Sequence, residues 1–168
     1  VLFPQELKVS RSLERRLKKQ DFEVRFDSAF RSVIEACAGS QRPEQDSTWI
    51  VPAMVEAYCD LHEAGYAHSV ETWMNGELAG GLYGVSMGGM FYGESMFHRV
   101  TDASKVALVA LVERLEERGF GLLDLQSSSD TVGALGIGSQ TLPRGMALRW
   151  SGAEKFIRQR TSAAGISL

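Results

Sequence analysis

Cysteine and histidine are scarce in this chain, with two of the first and three of the second among 168 residues. The cysteines, Cys37 and Cys59, fall in segments with helical patterns and give no spacing typical of a disulfide-stabilised domain. The histidines, His62, His68 and His98, show no zinc-ligand spacing such as His-x-x-x-His. We therefore expect no disulfide framework, no metal site and a reducing, cytoplasmic setting.

Long apolar runs and a large net charge are missing as well. No run approaches the ~20 apolar residues that cross a bilayer, and the first residues lack the basic and apolar regions of a signal peptide. The formal net charge of −3 argues against a protein that coats nucleic acid non-specifically. At 44% hydrophobic, the chain is expected to form one globular domain with its own core, without a membrane partner and by default as a monomer.

Several catalytic and nucleotide-binding motifs are absent. The sequence has no Gly-x-Ser-x-Gly elbow and no glycine-rich segment followed by Lys-Ser/Thr, as phosphate-binding loops have. A CoA-dependent acetyltransferase would need a glycine-rich pyrophosphate loop, opened by Arg or Gln, between a strand and a helix. Serines follow Gln126 instead, and the later Gly136 and Gly138 lack the leading residue. This weakens the prediction of a CoA-dependent N-acetyltransferase, which stays an alternative.

The chain is expected to begin with a basic helix that Ser10 or Ser12 caps. Further helical and strand patterns follow it along the chain. Periodicity predicts helices over 28–38, 52–64 and 103–118, a weak helix over 153–161, and strands over 22–26, 67–74, 78–85, 90–97 and 122–125. Asn75-Gly76 predicts a hairpin turn, and the almost wholly apolar last strand is typical of an inner strand. The fold class expected is α/β, a mixed, largely antiparallel sheet flanked by helices, similar to acetyltransferase-like (GNAT-like) folds.

Glycines interrupt the middle strand of the predicted meander at Gly80, Gly81 and Gly84. Glycine has no packing value inside a strand, and there it often marks a bulge or a close approach of a ligand. A sharply twisted strand would explain the same glycines. The sequence leaves both interpretations open.

Two carboxylates interrupt apolar strand segments, and a buried carboxylate is costly unless it is paired or used. Strict alternation places Glu94 on the face of Tyr92 and Met96, and Asp124 on the face of Gln126. The opposite face of the strand that contains Glu94 then carries Phe91, Gly93, Ser95 and Phe97. Either helix-end amides or arginines satisfy the two acids, or the acids form a site for a cationic or amine substrate.

Basic residues crowd the first twenty positions. At helical spacing Arg11, Arg15, Lys18 and Lys19 share one face, and leucines fall on the opposite one. A solvated helix face is one interpretation. A helix that contacts a phosphate backbone is the other, because such contacts need clustered cations and no base recognition.

Several longer motifs are more specific than these single features. They are Thr48-Trp49-Ile50, Ala57-Tyr58, Leu61-His62-Glu63, Ala67 to Glu71, Trp73, Gly80 to Val85, Phe91, Gly93 to Phe97, Ala103-Ser104-Lys105 and Asp124-x-Gln126. With them the chain resembles the leucyl/phenylalanyl-tRNA–protein transferase family from about Val1 to Gly136. The resemblance implies a cytoplasmic aminoacyltransferase with an acetyltransferase-like catalytic domain. Such an enzyme moves Leu or Phe from aminoacyl-tRNA to the α-amino group of proteins that begin with Arg or Lys, which marks them for degradation by the N-end rule. It needs neither metal nor CoA.

The resemblance also implies roles for individual residues. Asp124 and Gln126 match the catalytic pair, Glu94 matches a carboxylate near the acceptor's basic side chain, and Trp49 matches an aromatic residue that packs the terminal adenosine of tRNA. The residues that match the lining of the aminoacyl pocket are Leu82, Phe91, Met96, Leu108, Leu111, Leu115 and Leu123. The basic face of Arg11, Arg15, Lys18 and Lys19 would then meet the acceptor stem.

Reaction chemistry suggests how the catalytic pair works. An aminoacyl ester is already activated, so the enzyme must supply proximity, removal of an amine proton and stabilisation of the oxyanion. A neutral amide is a poor base, so we expect Gln126 to orient the attacking amine as a hydrogen-bond acceptor. Asp124, through that amide or a water, would stabilise the positive charge that develops on nitrogen.

The chain departs from the family pattern at three points. Leu125 replaces the Cys that usually stands between the catalytic residues, Thr131 stands where a His is usual, and the likeness fades from Ile137 onward. We expect residues 1–168 to form a single catalytic domain, which starts with a basic helical segment at about 10–20 and lacks the family's N-terminal domain. A catalytically idle relative that binds tRNA or basic N-termini is the other alternative.

Overall fold

The computed structural model describes residues 3, 4, 7, 9–40 and 50–125. The helices are α1 (Arg11–Lys18), α2 (Phe30–Ala38), α3 (Pro52–Glu63) and α4 (Ala103–Glu117), and the strands are β1 (Glu23–Phe26), β2 (Ala67–Met74), β3 (Glu77–Met87), β4 (Met90–His98) and β5 (Leu122–Leu125). Each helix and strand predicted within these residues is present, with ends that differ by a few positions. The weak helix over 153–161 lies outside the described residues.

The five strands form one sheet in the order β1-β2-β3-β4-β5. Neighbours are antiparallel from β1 to β4, and β5 joins β4 in parallel. The predicted α/β class with a mixed, largely antiparallel sheet is confirmed. The predicted inner position of the last strand is wrong for the described part of the chain, where β5 pairs with β4 alone and ends the sheet. Its apolar character comes from contacts on both faces, because Leu123 and Leu122 belong to different apolar clusters.

Local signals set the ends of the elements. The Ser10 hydroxyl accepts a hydrogen bond from the Leu13 amide at 3.4 Å and caps α1. The β2–β3 turn places Asn75 at φ 52° and Gly76 at φ 79°, the left-handed pair that a tight hairpin turn requires. These two sequence predictions are confirmed because each depends only on neighbouring residues.

Two apolar cores lie on opposite faces of the sheet. The α4-side core packs helix α4 and Leu13 of α1 against buried strand residues that include Val70, Leu82, Phe91 and Leu123. The α2/α3-side core packs α2 and α3 against Tyr83, Val85, Phe97 and others. None of the described helices is both long and apolar enough to cross a bilayer.

The glycines of β3 lie where the protein's own atoms come close. A Cβ atom at Gly80 would be 2.7 Å from the Cβ of Ala103 at the start of α4, and one at Gly81 would be 2.7 Å from the Val70 carbonyl oxygen. A Cβ at Gly84 would collide with the Tyr92 carbonyl oxygen. These contacts explain the glycines without a ligand.

A bulge interrupts the ladder between β3 and β4 at Gly84. Tyr83 pairs with Ser95 and Gly84 pairs with Gly93, so Glu94 is an extra residue in β4 with no partner on β3. The bulge overturns the predicted alternation of β4, because Phe91 and Met96 now both pack with the α4-side core. Glu94 and Met96 therefore do not share a face as strict alternation required.

Candidate active site

Glu94 occupies the bulge of β4 and turns towards helix α3. Its carboxylate is hydrogen-bonded to the side chain of Tyr58, which lies on α3 and is 4% exposed. Burial raises the pKa of Glu94 to about 7, and the negative charge of Asp124 adds to this, while the hydrogen bond from Tyr58 acts in the opposite direction. Glu94 therefore changes its charge close to neutral pH.

Asp124 lies on β5 next to the start of β4. Its Cα partner in the parallel ladder is Tyr92, two residues before Glu94. The flanking Leu123 and Leu125 both pack with the α4-side core, so the Asp124 side chain lies on the other face of the sheet. Burial raises the pKa of Asp124, and a backbone hydrogen bond at Leu125 opposes that effect.

The two predicted carboxylates therefore lie on the same face of the sheet, on neighbouring strands. The two carboxylates are close enough to interact, because the negative charge of Asp124 raises the pKa of Glu94. Two like charges in a partly buried site are costly when the site is empty. A cationic group placed between them would relieve that cost.

All seven residues predicted to line the aminoacyl pocket meet in the α4-side core. Six are buried and Met96 is partly buried against them. This cluster lies on the face of the sheet opposite Asp124 and Glu94. The ladder of β4 with β5 ends at the Gly93–Leu125 pair within the described residues. Glu94 and Met96 follow that pair on β4, with Glu94 turned towards α3 and Met96 packed against the α4-side core.

Gln126 and Trp49 lie outside the described residues. The predicted pairing of Asp124 with Gln126 and the predicted contact of Trp49 with the terminal adenosine stay predictions. A cavity of about 690 Å³ opens at the far end of β4, between α2 and the ends of three strands. None of the predicted site residues lines it.

The predicted basic face is present on α1. Arg11, Arg15, Lys18 and Lys19 are all exposed, and none of the four forms an ion pair with another described residue. Arg16 behaves differently. It pairs with Asp21 at 2.6 Å and lies over the ring of Phe22 at 4.5 Å, so it fastens α1 to the segment before β1.

Three polar contacts escaped the sequence reasoning because each joins distant parts of the chain. Tyr58 on α3 reaches Glu94, and Asp27 accepts a hydrogen bond from Nδ1 of His68 at 2.8 Å. The buried Glu71 on β2 accepts a hydrogen bond from the Ser28 hydroxyl at 2.8 Å and one from the Ala29 amide at 3.4 Å, at the start of α2. The only signal in the sequence was that Tyr58, His68 and Glu71 each lie within one of the quoted motifs.

Residues 1–146 match the family model described as leucyl/phenylalanyl-tRNA protein transferase. The chain belongs to this family. A leucyl/phenylalanyl-tRNA–protein transferase of Chromobacterium violaceum is 59% identical over 136 residues, which cover 81% of this chain and 58% of that protein. Its counterpart in Syntrophobacter fumaroxidans is 60% identical over 136 residues, with the same coverage of 81% and 58%. The chain thus spans somewhat less than two thirds of the length of these relatives.

The fold is also similar to that of solved structures outside this family. A ribosomal-protein-alanine N-acetyltransferase from Brucella melitensis biovar Abortus superposes with a TM-score of 0.52 at 12% identity, over 73% of this chain and 94% of that one. The similarity shows that the described part of this chain has an acetyltransferase-like fold. It shows the fold alone, because so low an identity does not carry a substrate with it.

Proposed function

We propose that this chain is an aminoacyltransferase that moves Leu or Phe from charged tRNA to the α-amino group of proteins that begin with Arg or Lys. Family membership supports the reaction class. The observation that carries the proposal is that Glu94 and Asp124, named from the resemblance, share one face of adjacent strands. The enzyme is proposed to act in the cytoplasm, as a monomer that tags acceptors for degradation.

The enzyme holds the aminoacyl-tRNA donor through the hydrocarbon side chain of its Leu or Phe. Met96, the one partly buried member of the predicted pocket, packs against the α4-side core two residues after the bulge at Glu94. Burial of a Leu or Phe side chain contributes roughly 1.5–3 kcal/mol, and a polar aminoacyl group would lose its hydration there. This favours the two apolar aminoacyl groups over polar ones.

The acceptor enters on the opposite face, where the carboxylates lie. Glu94 forms an ionic contact with the Arg or Lys side chain of the acceptor, and partial burial makes that contact stronger than an exposed ion pair. The contact requires the charged form of Glu94. Since burial raises the pKa of Glu94 to about 7, acceptor binding should weaken as the pH falls below neutrality.

The reaction is an aminolysis of the ester. The neutral α-amine attacks the ester carbonyl carbon and forms the new C–N bond, and the C–O bond to the tRNA ribose breaks. The proton that the amine loses passes through water to the departing ribose oxygen. Gln126 accepts a hydrogen bond from the attacking amine and orients it. Asp124 stabilises the positive charge on that nitrogen through the Gln126 amide or a water. The activated ester leaves positioning and electrostatics as the main tasks of the protein.

The tRNA body is held by α1. Arg11, Arg15, Lys18 and Lys19 are exposed on one helix without a described carboxylate partner, as a phosphate-binding surface requires. The acceptor stem is the part of tRNA nearest to the ester, so we propose that it lies along this surface.

The decisive experiment follows labelled Leu or Phe from tRNA to a peptide that begins with Arg or Lys, with protein of full natural length. We expect transfer by the wild type and none by Asp124→Ala. Asp60→Ala, at an exposed position of α3, is the matched control and should retain activity. Binding of tRNA without transfer would identify an idle relative, and a thermal shift caused by acetyl-CoA would identify a CoA-dependent acetyltransferase; either result contradicts the proposal.

A further inference from the structure

Tyr58 is held rigidly on the face of α3 that meets the sheet. Its ring packs edge-on against Tyr83 of β3, with centroids 5.2 Å apart and an interplanar angle of 76°. The ring of Phe30 packs edge-on against the same Tyr83 at 5.9 Å. The Tyr58 ring is therefore packed against Tyr83 of β3 within the α2/α3-side core, and its hydroxyl has little freedom of position.

The hydroxyl of Tyr58 is directed at the one residue of β4 that the bulge displaces from regular pairing. An ionised carboxylate only accepts hydrogen bonds, so the phenol donates and Glu94 accepts. Among the described residues the titratable groups that influence Glu94 are Tyr58 from α3 and Asp124 from β5. Asp124 and burial favour the neutral acid, and Tyr58 alone favours the carboxylate.

The Glu94 carboxylate accepts the phenol hydrogen bond, which restrains its orientation relative to α3. A carboxylate at a bulge has no regular neighbour on the adjoining strand to define its direction, so an anchor on a packed helix supplies the preorganisation that binding needs.

We propose that Tyr58 is a positioning residue of the acceptor site, which holds the Glu94 carboxylate by a donated hydrogen bond in the orientation that receives the acceptor's basic side chain. The inference rests on the proposed function, since it assumes that Glu94 meets the acceptor. Tyr58 does not take part in bond formation. Its loss should therefore affect recognition of the acceptor more than the chemical step.

The test compares wild type with Tyr58→Phe, a change that keeps the packed ring and removes only the hydroxyl. Transfer rates are measured against acceptor concentration between pH 6 and 9, with an Arg-starting peptide. We expect the KM for the acceptor at pH 7 to rise about threefold to tenfold, while kcat at saturating acceptor and the KM for charged tRNA change less than about twofold. The acidic limb of kcat/KM for the acceptor should move to higher pH, because the group that favours the charged form is gone.

Two further variants separate this effect from a loss of packing. Tyr83→Phe removes a hydroxyl from the adjoining ring and should leave the pH profile unchanged. Glu94→Gln should abolish the acidic limb, and adding Tyr58→Phe to it should cause no further increase in acceptor KM. Thermal melts of each variant confirm that the protein is folded.

The outcomes distinguish the inference from the function on which it rests. Wild-type transfer with an unshifted Tyr58→Phe profile overturns the role of Tyr58 and leaves the transferase intact. The same holds if Tyr58→Phe lowers kcat and leaves the acceptor KM unchanged. Absence of transfer by the wild type overturns both.

Discussion

Phe91 and Met96 pack on the same side of the sheet, although their positions on β4 differ by five, an odd number. In a regular strand they would point in opposite directions. The extra residue at Glu94 reverses the alternation between them, so both reach the α4-side core while Glu94 itself faces α3. One bulge thus assigns the apolar residues and the acid of the proposed site to opposite faces.

The bulge depends on the absence of a side chain at Gly84. Gly84→Ala would drive a Cβ into the Tyr92 carbonyl oxygen, so we expect a loss of about 1–3 kcal/mol in the free energy of unfolding and a fall in transfer activity. Gly121→Ala is the control, because a Cβ there meets nothing within 4 Å. Urea unfolding of both variants checks the prediction. Equal stability of Gly84→Ala and wild type would show that the strands do not approach as described.

Ionisation of Glu94 should destabilise the fold. Its pKa is raised from 4.5 to about 7 on folding, so the folded state retains a proton that the unfolded chain has lost, and stability falls as the pH rises between these values. Glu94→Gln removes this penalty and should stabilise the protein above pH 7 by about 1–3 kcal/mol, with little gain at pH 4.5. Chemical denaturation at the two pH values measures the difference. A gain that is the same at both would contradict the raised pKa of Glu94.

The contact between His68 and Asp27 should lose its contribution to stability at both the upper and the lower end of the pH range. A hydrogen bond that His68 donates to Asp27 raises the pKa of His68 above its usual 6.5. Burial acts to raise the pKa of Asp27, but hydrogen bonds from His68 and the Ser69 amide outweigh it, and that pKa is lowered. The contribution of the pair is therefore lost as the pH rises through the folded pKa of His68, and also as it falls through that of Asp27.

Nuclear magnetic resonance of the histidine ring protons tests this pair. In Asp27→Asn the pKa of His68 should fall towards 6.5, and the protein should lose more stability at pH 5.5 than at pH 9. His98→Ala, a change at the exposed end of β4, is the control variant and should leave the His68 titration unchanged. An unchanged His68 titration in Asp27→Asn would exclude the charged pair.

The exposed cations of α1 should act on tRNA as a set of phosphate contacts. Arg15→Ala and Lys18→Ala are expected to weaken tRNA binding severalfold, and each should reduce the slope of log affinity against log salt by about 1. Arg31→Ala is the control, since Arg31 is on α2, on the other face of the sheet, and pairs with Glu56 at 2.7 Å. Filter binding over a salt series provides the measurement, and equal slopes for all variants would rule out this surface.

Much of the fold could be predicted because its signals are local. Ser10 identifies the start of α1, Asn75-Gly76 fixes the β2–β3 turn through left-handed backbone angles, and the 3.6-residue period of α4 gives its buried stripe. Each depends on residues within a few positions of one another. The long motifs, including Gly93-Glu94-Ser95 and Asp124-x-Gln126, are likewise short continuous segments, and they indicate the family without the tertiary structure.

The sequence by itself determined the order of the elements, the fold class and the family. The tertiary structure alone decided that β5 ends the described sheet, that an extra residue at Glu94 reverses one strand, and that Tyr58 meets Glu94 across the α3–sheet contact. The physical reason is that alternation and periodicity describe a single element. A bulge, a strand neighbour or a hydrogen bond between distant residues is set by how the elements pack together.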